Sequence, residues 1–166
     1  MWLARPTVIR GLKAVAAAGL TYDLLVRTRE LPAAIYAVRA VPECRFVLDH
    51  AAKPPIAKGW DVQWASRLAE LAKEQNVWCK LSGLVTEASW TNWTSSDLAP
   101  ACSYAIDKFG PMRIIYGSDW PVCLLAASYS AVKATFESAI IRFSKDERAA
   151  VLGQNAINAY RLQIVK

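Results

Sequence analysis

The stretch IIYGSDWPVC, residues 114–123, runs from apolar residues to a carboxylate and then restricts the backbone. Its first three residues have the β-branched and aromatic side chains that are typical of a buried strand. Asp119 follows this apolar run, and the ring of Pro121 limits the backbone just after it. Gly117, two residues before the carboxylate, is predicted to leave room for a substrate or ion. The stretch therefore predicts a strand whose end aims a carboxylate at a ligand.

Three similar apolar segments come earlier in the chain, at residues 20–26, 45–50 and 77–82. The four segments start at residues 20, 45, 77 and 113, a spacing that is too long for hairpins and fits strand-helix units. Nearly continuous apolar strands favour a parallel sheet. We therefore expect a single α/β domain over residues 1–166, built either as an open doubly wound sheet or as part of a (βα)8 barrel.

Helix starts can be predicted from capping residues and apolar periodicity. The clearest helix follows Asp61, where apolar residues recur at i, i+4, i+7 and i+8. Ser144 and Glu147 have the spacing of a capping box, in which each side chain satisfies a backbone amide near the other. Three further helices are predicted to be capped by Thr7, Asp97 and Ser130.

Composition and charge argue against several classes of protein. The chain is 54% hydrophobic, but no apolar run reaches the roughly 20 residues that cross a bilayer, so we expect a cytoplasmic protein without a membrane partner. Its 20 basic and 14 acidic residues are spread along the chain, which favours a solvated basic surface over a nucleic-acid site. The four cysteines show no CxxC spacing and are predicted to be reduced and packed.

Polar side chains cluster at the carboxyl ends of three predicted strands. Asp49 and His50 follow the second strand, Lys80 and Ser82 lie on the third, and Asp119 follows the fourth. The carboxyl ends of parallel strands share one edge of the sheet, and ligands bind there. Each residue alone could be a helix cap or a core residue, but their coincidence at one edge favours a functional site.

Alternation along the third strand divides its side chains between two faces. Residues 77, 79 and 81 are all apolar and are expected to pack under the helices. Lys80 and Ser82 are therefore expected on the opposite face of the sheet, toward the lumen of a barrel if one is formed.

Four segments resemble the amidohydrolase-related lactonases, the group that includes L-fuconolactone and L-rhamnonolactone hydrolases and the pyrone-dicarboxylate lactonase. They are FVLDHAAKPPIAKG (46–59), NVWCKLSGLVTEASW (76–90), FGPMRIIYGSDWPVCLLAASY (109–129) and VLGQNAINAYRL (151–162). The resemblance implies the C-terminal half, strands five to eight, of a TIM-like (βα)8 amidohydrolase barrel without the N-terminal strands. The family's first-strand His-x-His motif cannot be present, because His50 is the only histidine of this chain.

The resemblance also implies a reaction and its residues. The expected activity opens a sugar-derived or related lactone by attack of water on the ester carbonyl. Asp119 would act as the general base and His50 as a metal ligand or electrophile, and these two residues are the candidate ligands of one zinc-type divalent metal. Four more residues are expected at the substrate: Asp49, Lys80, Ser82 and Trp120.

Two alternatives remain open at this stage. Without the first-strand histidines, the chain could be a catalytically impaired half-barrel remnant or an assembly module. It could also be a metal-independent esterase that uses Asp119 and His50 alone. The expected partners are a small-molecule lactone and, because a half-barrel has open sheet edges, a second copy of the chain.

Overall fold

The sheet contains four parallel strands that lie side by side in the order in which they occur in the chain. The computed structural model describes residues 1–163, and within them the strands are β1 (Thr21–Leu24), β2 (Arg45–Leu48), β3 (Val77–Leu81) and β4 (Ile114–Tyr116). Leu48 of β2 lies opposite Leu24 of β1 and Cys79 of β3, and Cys79 lies opposite Ile114 of β4. The predicted α/β class with parallel strands is confirmed, and β1 and β4 are the edges.

One helix precedes the first strand, and the others connect the strands or follow the last one. Within the described residues they are α1 (Pro6–Ala17), α2 (Leu31–Ala40), α3 (Val62–Leu71), α4 (Ser95–Phe109), α5 (Tyr129–Ala139), α6 (Lys145–Ala149) and α7 (Asn155–Tyr160). None of the helices in residues 1–163 is long and apolar enough to cross a lipid bilayer.

Two of the predicted helix starts are confirmed. The Asp61 carboxylate accepts hydrogen bonds from the backbone amides of Gln63 and Trp64, at 2.9 and 3.1 Å, and so caps α3. At α6, the Glu147 amide donates to the Ser144 hydroxyl, and the Glu147 carboxylate accepts from the Ser144 amide. These bonds satisfy amides that have no partner inside the helix.

Three predicted caps are wrong by a few residues. Helix α1 begins at Pro6, whose fixed backbone angle suits the first turn, so Thr7 lies inside the helix. Thr94 caps α4, and Asp97 is the third residue of that helix, where its carboxylate accepts from the Thr94 amide. Ser128 caps α5 in place of Ser130. In the last two cases a second capping residue lay within three positions.

One face of the sheet packs against helices. Its side chains include Phe46 and Leu48 of β2, Cys79 and Leu81 of β3, and Ile114 of β4, all of them buried. This confirms the predicted division of β3 between two faces. The four cysteines are buried and unbonded, as predicted, and burial raises the pKa of the Cys102 thiol to about 12.

The opposite face of the sheet, called the site face below, carries Thr21, Asp23, Val47, Lys80 and Ile115. Helix α7 covers part of it, because Ala159 packs against Val47 and Ile115. The Thr21 hydroxyl donates a hydrogen bond of 2.6 Å to the Ala159 carbonyl. These contacts therefore hold α7 across the strands that lead to the polar edge of the sheet.

We predict that Asp61→Ala destabilises the protein by about 1 kcal/mol, because two backbone amides of α3 lose their acceptor. Urea denaturation followed by circular dichroism would measure the change. Asp61→Asn is the matched control, since the amide oxygen can still cap the helix. Equal losses in the two variants would show that capping is not what Asp61 contributes.

Candidate functional site

The chain leaves β2 through a turn with an unusual backbone. His50, Ala51, Ala52 and Lys53 have φ values of 53°, 47°, 61° and 52°, all in the left-handed region. This region costs roughly 1–2 kcal/mol for each residue that carries a Cβ atom. Residues 50–53, called the left-handed turn below, must therefore be held by contacts with the rest of the fold.

Three side-chain contacts hold the left-handed turn at its start, middle and end. The Lys80 ammonium lies 2.6 Å from the carboxylate of Asp49, the residue before the turn. The indole of Trp64, a buried residue of α3, donates a 2.7 Å hydrogen bond to the carbonyl of Ala51. At the end of the turn, the ammonium of Lys53 lies 3.4 Å from the carboxylate of Glu87.

The left-handed turn aims His50 at the ends of β3 and β4. Its Nδ1 atom lies 2.8 Å from the hydroxyl of Ser82, and its Nε2 atom lies 3.9 Å from Oδ1 of Asp119. The side chains of His50 and Asp119 are each 15% exposed, so both can be reached from solvent. The structure thus brings together three predicted site residues from three successive strands.

The pKa of His50 is lowered below its usual range, chiefly because burial disfavours the charged imidazolium. The carboxylates of Asp119 and Asp49 act in the opposite direction and offset only part of this effect. Near neutral pH the imidazole is therefore uncharged, with one ring nitrogen donating and the other accepting. A neutral ring can polarise a carbonyl as a donor or offer a lone pair to a metal.

Asp119 has a left-handed backbone with φ of 57°, a conformation that aspartate tolerates better than most residues. Its carbonyl accepts a 2.8 Å hydrogen bond from the amide of Cys123, which starts the turn that follows. The peptide bond between Trp120 and Pro121 is cis, and the Trp120 side chain is 64% exposed. Trp120 therefore stands at the rim of the site, next to Asp119.

Two glycines allow the close packing around His50, and the prediction singled out only one of them. A Cβ atom at Gly117 would lie 2.9 Å from Cβ of Ser82 and 3.4 Å from the Lys80 side chain. The expectation that Gly117 leaves room for a ligand is therefore wrong, because β3 side chains fill that room. At Gly83, with φ of +63°, a Cβ atom would lie 2.7 Å from His50 Nδ1 and 2.8 Å from Asp119 Oδ2.

Lys80 lies within a polar network on the site face. Its ammonium contacts Asp49 at 2.6 Å and Asp23 of β1 at 3.4 Å, and the Tyr160 hydroxyl donates to the same oxygen of Asp23. Burial alone would lower the pKa of Lys80, but the hydrogen bond with Asp49 and the nearby Tyr160 hydroxyl outweigh it and raise that pKa. Sequence reasoning missed Asp23 and Tyr160, although Asp23 alternates onto the same face as Lys80.

The donor set does not fit a complete catalytic zinc site. Such a site needs three protein ligands, and His50 and Asp119 supply two. Among residues 1–163 no group of three or more His, Cys, Asp or Glu side chains is placed to hold a metal ion. Cys79, the cysteine nearest in sequence to the site, is buried on the helix face and its thiol pKa is raised by burial.

We predict that Gly83→Ala displaces the His50 ring and destabilises the fold. The left-handed backbone costs about 1–2 kcal/mol, and the overlap with His50 and Asp119 adds a further ~1–3 kcal/mol. Gly19→Ala is the matched control, because its φ is +71° and its nearest neighbour is the flexible end of Arg161 at 3.4 Å. Urea denaturation and the NMR signals of the single histidine are the measurements, and equal effects in both variants would contradict the close packing.

This chain is similar to known proteins in sequence and in fold. The Amidohydrolase (Amidohydro_2) family model matches residues 2–162. The L-fucono-1,5-lactonase of Burkholderia ambifaria is 43% identical over 97% of this chain, and the chain spans 57% of that relative's length. A crystal structure of a Burkholderia multivorans amidohydrolase with bound HEPES superposes with a TM-score of 0.92 at 39% identity, over 98% of this chain and 60% of the other.

A second crystal form of that amidohydrolase, with bound zinc, gives a TM-score of 0.91 at 40% identity over the same shares of the two chains. Both crystal forms match nearly every residue of the present chain. The family model likewise covers all but the first residue and the last four. From its sequence and its fold, this chain belongs to the amidohydrolase family.

Proposed function

We propose that this chain forms the general-base side of a lactone-hydrolysing site. The observation that carries the proposal is the placement of His50 Nε2 3.9 Å from the Asp119 carboxylate at the carboxyl end of the sheet. The 43% identity to an L-fucono-1,5-lactonase supports a sugar lactone as substrate. Because the chain spans 57% of that relative, the activity of a whole lactonase is part of the proposal.

The chemistry assigns one task to each residue of the pair. Hydrolysis of a lactone adds water to the ester carbonyl and forms a tetrahedral oxyanion. Asp119 takes the proton from the attacking water, and the neutral His50 ring donates a hydrogen bond to the carbonyl oxygen. The 3.9 Å between the two side chains is too long for a direct hydrogen bond, so the Nε2 proton of His50 stays available for the carbonyl oxygen.

The hydroxyl of Ser82 bonds to Nδ1 of His50 and can either donate or accept, and the proposal assigns it the donor role. When Ser82 donates to Nδ1, the proton of the neutral ring is on Nε2, the atom that faces Asp119. This tautomer supplies the hydrogen-bond donor that the mechanism requires. Ser82 thereby contributes to the site without touching the carbonyl.

The rim of the site offers contacts for the sugar part of the substrate. Trp120 exposes most of its indole beside Asp119, and an aromatic face can pack against the apolar side of a sugar ring. The polar groups of Asp49, Lys80 and Ser82 border the same edge of the sheet. Ser82 and Trp120 keep, as proposals, the substrate-binding roles that the sequence predicted, whereas the ion pair between Asp49 and Lys80 favours a supporting role for those two residues.

We further propose that the four strands correspond to strands five to eight of a (βα)8 barrel. The support is the TM-score of 0.92 over 98% of this chain but 60% of the amidohydrolase chain with which it superposes. In that arrangement β1 and β4 are the strands that other strands would extend, and self-association through these edges stays a prediction. The metal-binding role of His50 and Asp119 also stays a prediction, and these two residues would supply two of the three protein ligands that a catalytic zinc site needs.

We predict that Asp119→Asn lowers kcat for L-fucono-1,5-lactone by about 10²–10⁴-fold, the usual contribution of a general base. Asparagine keeps the shape of the side chain and also tolerates the left-handed backbone, so the variant isolates the loss of basicity. The measurement is the proton release that accompanies ring opening, followed with a pH indicator.

Asp107→Asn is the matched control, because Asp107 lies on the surface and its one ion pair among residues 1–163 is with Arg142, at 3.5 Å. This variant is expected to retain wild-type turnover. Two outcomes would overturn the proposal. If Asp119→Asn kept full turnover, Asp119 would not be the base. If the wild-type chain showed no turnover, the non-catalytic module that the sequence left open as an alternative would be the better description.

A further inference from the structure

A network of four polar residues lies beside the proposed catalytic pair and has no task in the reaction as described. Its members are Asp49 at the end of β2, Lys80 on β3, Asp23 on β1 and Tyr160 on α7. The Lys80 ammonium bonds to Asp49 and Asp23, and the Tyr160 hydroxyl bonds to Asp23. The network therefore connects three strands and the C-terminal helix.

The charge of Lys80 is already matched inside this network. Two carboxylates lie within 3.4 Å of its ammonium, and the ring of Tyr160 lies 5.5 Å from it. One ammonium between two carboxylates leaves no surplus positive charge for a developing oxyanion. Binding a substrate oxygen would also require Lys80 to break its 2.6 Å contact with Asp49.

Two hydrogen bonds from the sheet to α7 fix the position of Tyr160. The Arg45 guanidinium donates to the Asn158 carbonyl at 3.1 Å, and the Thr21 hydroxyl donates to the Ala159 carbonyl at 2.6 Å. Both contacts satisfy carbonyls at the end of α7, where helices lack internal donors and favour a cation. The Tyr160 hydroxyl is thus held at Asp23 by contacts that do not involve Lys80.

We infer that Tyr160 and Lys80 are positioning residues that orient His50 through Asp49. Asp49 directly precedes His50, so the 2.6 Å ion pair with Lys80 holds the start of the left-handed turn. Tyr160 holds Asp23, and Asp23 with Asp49 fixes the ammonium between them. This inference rests on the proposed function. It means that α7 influences the orientation of His50 without touching the catalytic pair.

Tyr160→Phe tests the inference by removing one hydroxyl and keeping the ring. His50 is the only histidine, so its two imidazole carbon-bound proton signals are assigned without ambiguity in an NMR spectrum. We expect both signals to shift and kcat for L-fucono-1,5-lactone to fall about 10-fold, as is typical when the partner that orients a functional residue is lost. KM should stay within about 2-fold, because no substrate contact is removed.

Tyr104→Phe is the matched control. The Tyr104 hydroxyl donates one hydrogen bond, 3.1 Å long, to the Ala65 carbonyl on the helix side of the sheet. Its loss is expected to leave the His50 signals and kcat unchanged. If the two variants lost the same stability and neither moved the His50 signals, Tyr160 would be merely structural and the inference would be wrong.

Lys80→Met separates positioning from substrate binding. The inference expects the His50 signals to shift further than in Tyr160→Phe, with the loss again in kcat. An increase in KM with unchanged His50 signals would overturn it, because that result describes a lysine that binds substrate. The NMR measurement needs no turnover, so a wild-type chain without lactonase activity would refute the proposed function and still leave the positioning role to be decided by the spectra.

Discussion

The ammonium of Lys80 lies 2.6 Å from the carboxylate of Asp49, and through this contact β3 controls the backbone that leaves β2. Four consecutive residues after Asp49 adopt a left-handed backbone that they would not choose alone. The pair is partly buried, with 22% and 16% of the two side chains exposed, so solvent screens it less than a surface pair. Breaking it would release the turn that carries His50.

The fold was largely predictable from the sequence, because it follows from where apolar residues occur. The four apolar segments form the four strands. Alternation along β3 correctly predicted that Cys79 packs against the helices and that Lys80 lies on the opposite face of the sheet. Errors arose where two residues could do the same job. Thr94 and Asp97 both can cap a helix, and only the paths of neighbouring chain segments decide between them.

The site was predictable only in part. Parallel strands bring their carboxyl ends to one edge of the sheet. For this reason the sequence alone predicted that His50, Ser82 and Asp119 lie together. The left-handed turn could not be foreseen, since alanines occupy it in place of glycines and distant side chains hold it. Gly83 directly follows the third predicted strand, and a glycine in that position can indicate close packing. Alternation along the strand alone does not predict this.

The contact between Tyr160 and Asp23 joins residues 137 positions apart in the chain. On the ribosome, a polypeptide emerges from its N-terminus, so the first three strands are synthesised well before α7 exists. Until that helix is released, Lys80 lacks one of the groups that fix it, and the turn that carries His50 lacks part of its support. The support of the site is therefore complete only when residues on both sides of this long separation in the chain have been synthesised.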